Sequence, residues 1–159
     1  MQTQFETIYR EHYQKVFGLS LGYVNGDYDL AADLTQEVFV KVWEHLKGFR
    51  KEASVSTWIY RITINTCLVY HRKKRALPLT TDVVASEEED KAALEQRFSS
   101  MYACINKLPE IHKTIILLEL EDIPQAEIAA IVGISHQALR TRLSRIKKEL
   151  SKCVNNEKL

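Results

Sequence analysis

His136, Gln137, Arg140, Thr141, Ser144, Arg145, Lys147 and Lys148 stand close together in the stretch "SHQALRTRLSRIKKEL", residues 135–150. Guanidinium, ammonium, amide and hydroxyl groups in this mixture donate to phosphate oxygens and to base edges. No grouping of nucleophile, base and orienting residue is apparent in the sequence, so binding rather than bond-breaking is the chemistry to expect. Such a set reads a duplex only when an anchored helix presents it along one side.

The surrounding residues supply that anchor. Leu139, Leu143, Ile146 and Leu150 recur at intervals of four, three and four, which gives the same helix a buried face. Ser135 is placed to cap its N-terminus. Before it, Pro124 suits the first turn of a shorter helix, Ile128, Ala129 and Val132 form that helix's apolar stripe, and Gly133 ends it in the left-handed conformation glycine takes without steric cost. Two short helices joined by a tight turn, the second basic, predict a helix-turn-helix with residues 135–150 as recognition helix. Residues 94–108, apolar at Leu94, Phe98, Met101, Cys104, Ile105 and Leu108, and residues 109–122, opened by Pro109, predict two further helices that complete a small domain.

A second basic region lies upstream. Residues 61–75 hold five Lys or Arg and no acid, whereas residues 82–90 hold five acids and no base. "STWIYRITINTCLVYHRKKR" predicts a long helix capped by Ser56 or Thr57. Trp58, Ile59, Ile62, Cys67, Leu68 and, at its margin, Val69 are spaced as its packed face. Tyr60, Arg61, Asn65, Thr66, Tyr70, His71, Arg72, Lys73, Lys74 and Arg75 make a polar, basic and aromatic surface, on which rings can stack against unpaired bases while cations follow the backbone. Trp58 and Tyr60 also suit a core.

Two more helices are expected before it. Residues 5–23 carry Phe5, Ile8, Tyr9, Tyr13, Val16, Phe17 and Leu21 at helical spacing. After the Asn25-Gly26 break, Asp27 or Asp29 caps a helix over residues 29–46. Its buried stripe is Leu30, Leu34, Val38, Phe39, Val42 and Leu46, and its outward face shows Asp33, Gln36, Glu37, Lys41 and Glu44. The fold class is therefore all-α: a domain over 1–76, a flexible acidic linker over 77–93, a helix-turn-helix domain over 94–152 and a tail over 153–159.

A chain of 159 residues with 45% hydrophobic residues and a formal charge of +1 suits two small helical domains. Its three cysteines, odd in number and without paired spacing, point to a reducing compartment and away from a disulfide framework. Cys67 and His71 would make half of a metal site; with no second ligand pair visible, neither metal nor cofactor is expected. An enzyme built on Cys67, His71 and His112 is the least supported reading. No apolar run of signal-peptide type or of about 18 residues is present, so a cytoplasmic protein without a membrane span is expected.

Three stretches together resemble the extracytoplasmic-function sigma factors, small bacterial subunits of RNA polymerase: "DLTQEVFVKVW", "FRKEASVSTWIYRITINTCLVYHRKKR" and the segment from Leu108 to Leu150. The resemblance implies that Asp33, Gln36, Glu37 and Lys41 meet the β′ clamp of core RNA polymerase, with the β flap as a further contact. It implies that Glu52, Ser54, Ser56, Thr57, Trp58, Tyr60, Arg61 and Asn65 hold a base extruded from the melted non-template strand, and that His71, Arg72, Lys73, Lys74 and Arg75 extend this downstream surface along the backbone. Arg140, Thr141, Ser144 and Arg145 would then contact bases and backbone of the upstream promoter duplex, with Ser135, His136, Gln137 and Lys148 near its phosphates. An anti-sigma protein is a further implied partner. Val55, Pro124 and Ala138-Leu139 depart from the residues common in that family. The competing reading is a stand-alone helix-turn-helix regulator, which leaves the basic and aromatic segment before Arg75 without a purpose.

Overall fold

The computed structural model describes residues 2–49, 54–76 and 92–157. Among these, every regular element is helical: α1 (Gln2–Tyr23), α2 (Tyr28–His45) with a 3-10 turn over Leu46–Gly48, α3 (Val55–Ala76), α4 (Ala92–Asn106), α5 (Glu110–Leu120), α6 (Gln125–Val132) and α7 (His136–Glu157). Glu52 and residues 77–91 of the expected linker lie outside the described residues, as does the side chain of Arg75.

The helix boundaries follow local chemistry. Asp27 caps α2 by accepting from the Leu30 N–H at 3.2 Å. Ser135 caps α7 by accepting from the Ala138 N–H at 3.1 Å, and Gly133 closes α6 at φ +78° with its N–H on the Ala129 carbonyl. The cap of α3 differs from expectation. Ser54, rather than Ser56 or Thr57, accepts from the Thr57 N–H at 3.2 Å, because the helix begins at Val55 and takes Ser56 and Thr57 into its first turn. The tail expected from residue 153 is also helical, for α7 runs on to Glu157. Leu150, Cys153 and Val154 continue the spacing of its half-buried face.

α1, α2 and α3 pack on one another as one module, and α4 to α7 as another, α7 lying against α4, α5 and α6. Val16, Leu19, Val38, Val42 and Ile59 fill the first core, and Ile105, Ile115, Leu118, Ile128, Leu139 and Ile146 the second. The two cores form one contiguous apolar cluster. α5 approaches α1 closely where α1 has no side chain: a Cβ at Gly22 would collide with the Leu117 side chain, and one at Gly18 with the Glu121 carboxylate. Burying a leucine such as Leu117 this way contributes roughly 1.5–3 kcal/mol.

A disulfide joins Cys104 of α4 to Cys153 of α7, with Cα atoms 5.9 Å apart. This corrects the expectation that the cysteines form no disulfide framework. The pair is separated by 49 residues and meets only because α4 packs on α7, so linear spacing carries no sign of it. Cys67 alone is free, and buried.

Candidate nucleic-acid interface

Along α7, Leu139, Leu143 and Ile146 are buried and hold the helix to α5 and α6. Gln137, Arg140, Thr141, Ser144, Arg145 and Lys148, spaced at threes and fours, are all exposed on the other side, as are Ser135 and His136 at the N-terminus. The Thr141 hydroxyl donates to the Gln137 carbonyl at 3.2 Å, a local bond that leaves its lone pairs outward. Lys147 sits beside this face but is held elsewhere, on Glu119 at 3.3 Å. The result is a firmly seated helix with a continuous row of donors, the arrangement that enters a major groove.

α2 shows a second exposed face with Asp33, Gln36 and Glu37. Lys41 turns away from it, donating to the Thr66 hydroxyl of α3 at 3.1 Å and lying 3.4 Å from Glu37. Two residues not singled out in the sequence extend the face: Val40, 50% exposed, and Trp43, 43% exposed. Trp43 packs edge-on against Phe5 at 5.1 Å. Their signal was available, since Val40 and Trp43 fall outside the helix's buried stripe and on the side of Asp33 and Glu37.

The start of α3 is arranged differently from the expected open surface. Tyr60 is 3% exposed, with its ring edge-on to His12 at 6.0 Å, and burial pushes its phenol up to about 12. It belongs to the core, because position 60 stands beside Ile59 and one turn before Ile64 on the inward side. Thr57 is buried too. Trp58 is half-buried and stacks on Phe49 at 4.7 Å. Arg61 and Asn65 remain exposed, but Arg61 donates to the Ala130 carbonyl of α6 at 2.6 Å. Further along, His71 Nε2 donates to the Tyr23 carbonyl at 2.6 Å, whereas Arg72, Lys73 and Lys74 reach solvent. Arg72 lies 3.9 Å from Glu110. No group of three or more His, Cys, Asp or Glu side chains that could hold a metal occurs among the described residues.

The sigma-70 region 2 family model matches residues 8–77 and the sigma-70 region 4 model residues 98–150. The ECF RNA polymerase sigma-E factor of Escherichia coli K12 is 30% identical, the alignment covering 94% of this chain and 85% of that one. The chain belongs to the ECF family of RNA polymerase sigma factors. The sigma factor SigZ of Bacillus subtilis is 29% identical over 82% of this sigma factor and 78% of its own length. Among solved structures, CnrH in complex with the cytosolic domain of CnrY superposes with a TM-score of 0.74 at 20% identity, covering 98% of this chain and 90% of that one. RpoE of Bartonella quintana, in complex with the anti-sigma factor NepR, gives 0.72 at 17%, covering 96% and 97%. These two establish the fold. As a sigma factor the chain is a transcription initiation subunit, not an enzyme; it binds core RNA polymerase and promoter DNA.

Proposed function

We propose that this sigma factor seats on the β′ clamp of core RNA polymerase through the α2 face of Asp33, Gln36 and Glu37, with Val40 and Trp43 as apolar anchors, and that the β flap engages the second module. Charged and amide groups on such a face set orientation and partner choice more than raw affinity. The row Arg140, Thr141, Ser144 and Arg145 reads the upstream promoter element in the major groove, with Ser135, His136, Gln137 and Lys148 on phosphates. Ser54, Ser56, Thr57, Arg61 and Asn65 capture a base of the opened non-template strand, and His71 to Lys74 follow its backbone. Extruding a base costs a few kcal/mol, which this capture offsets. Melting is then selective binding of the open strand, while the polymerase performs the chemistry. Transcription places the protein in the cytoplasm. The complex of RpoE with the anti-sigma factor NepR supports control by an anti-sigma protein.

The observation that carries this reading is the exposed polar row on α7 held above a buried leucine stripe. Co-purification with core polymerase and run-off transcription from genomic fragments test it. Stoichiometric binding and discrete start sites, both abolished by Asp33→Lys or Glu37→Lys, are expected. Tight duplex binding by the chain alone with no affinity for core would replace the reading with a stand-alone regulator.

A further inference from the structure

Lys41 stands at the margin of the α2 face and directs its ammonium inward. Its Nζ donates to the Thr66 hydroxyl of α3 at 3.1 Å and lies 3.4 Å from Glu37 Oε1, one turn back on α2. Thr66 is 2% exposed, and its own hydroxyl proton goes to the Ile62 carbonyl at 2.7 Å, so it meets Lys41 purely as an acceptor. The direction of that bond is therefore fixed, and the packing of α3 on α2 anchors it. An ion pair between exposed side chains holds either partner only loosely. This one has a buried hydroxyl behind its cation, and Glu four residues before Lys is the favourable order on a helix. Glu37 is thereby held at one carboxylate oxygen while its side chain stays 55% exposed to a partner.

We propose that Lys41 is a positioning residue of the polymerase seat: it does not touch the polymerase, but transmits the fixed place of Thr66 to Glu37 and holds that carboxylate ready for docking. The inference rests on the α2 seat proposed above. Thr66, Lys41 and Glu37 form a polar relay from the buried contact between α3 and α2 to the docking face. A long side chain that is ordered before association does not lose its rotamer freedom during it, so that loss no longer counts against affinity. The consequence is specific. A buried threonine on α3, out of reach of any partner, influences binding at α2.

Competition of unlabelled full-length variants against fluorescein-labelled wild type for purified core polymerase, read by anisotropy at fixed salt, tests this. Lys41→Met and Thr66→Val each remove one link of the relay at similar side-chain volume. Each should weaken core binding about fivefold, the order expected when one further side chain must be ordered on docking. Lys41→Arg keeps the charge and the donors and should bind as the wild type does. In a Glu37→Ala background neither Lys41→Met nor Thr66→Val should weaken binding further. Losses of equal size with and without the Glu37 carboxylate would overturn the proposal, as would a Lys41→Arg chain as weak as Lys41→Met, or wild-type affinity in both Lys41→Met and Thr66→Val. Lys41 has a partly exposed side chain, so Lys41→Met decides the matter if Thr66→Val unfolds the protein. Full wild-type affinity in Glu37→Ala would remove the α2 seat and the positioning role together. A loss in Glu37→Ala that does not couple to Lys41 would remove the positioning role alone.

Discussion

The Tyr23 phenol and the Thr114 hydroxyl meet at 2.5 Å in the buried seam between the two modules, 91 residues apart in sequence. Thr114 Oγ1 gives its own proton to the Glu110 carbonyl at 3.1 Å, so Tyr23 is the donor of the pair. Burial pushes the phenol upward from its ordinary value, which keeps that proton in place. Thr114→Val should cost about 1–3 kcal/mol, because a buried donor is left unsatisfied. Tyr23→Phe combined with Thr114→Val should cost less than the sum of the single changes. A double-mutant cycle by urea denaturation checks this. A coupling of zero would mean that the two hydroxyls do not meet in solution.

The Cys104–Cys153 bridge closes a loop across most of the second module. A closure of this length contributes up to about 4 kcal/mol through the unfolded chain. Cys153→Ser should therefore lower the thermal midpoint in oxidising buffer, and a dithiol reductant should bring the wild type down to the variant's value. A variant as stable as the oxidised wild type would show that the bridge contributes nothing. Cys153 is the better position to change, since Cys104 is itself buried and its loss would disturb the core.

Deep burial also sets the response to alkali. It pushes the Cys67 thiol from 9.0 up to about 12 and the Tyr60 phenol from 10.0 up to about 12. Both groups thus hold their protons more tightly folded than unfolded. Their contribution is fully present below the unfolded values and is lost as pH rises toward about 12. The urea midpoint should fall through that window, and Tyr60→Phe should flatten the fall. Iodoacetamide at pH 8 should leave Cys67 unmodified until the protein is denatured; rapid native labelling would contradict its burial.

What could be read from the sequence was local. Gly133, Ser135 and the leucines of α7 act within a few residues of one another, so their roles follow from spacing and capping chemistry. What could not be read depends on residues brought together from far away. Ser56 carries no sign of Glu127, 71 positions on, to which its hydroxyl donates, and Cys104 looks unpaired until α7 reaches past residue 152. Tyr60, a tyrosine among arginine and asparagine, suits either face by its spacing. Only the packing of α3 against α1 and α2 decides it.

On the duplex-reading face, Arg140 and Lys148 should behave differently. Arg140 lies at the centre of the exposed row, where a guanidinium can pair with a guanine through two hydrogen bonds worth about 1–3 kcal/mol of discrimination. Arg140→Ala should therefore weaken binding to the upstream element and relax preference at one base pair. Lys148, two turns further along, is a point charge suited to phosphate. Lys148→Ala should weaken all duplexes alike and reduce the slope of log affinity against log salt by about 1. Anisotropy titrations of the holoenzyme on promoter variants at several salt concentrations separate the two effects. Equal loss on every sequence from Arg140→Ala would move that residue from the bases to the backbone.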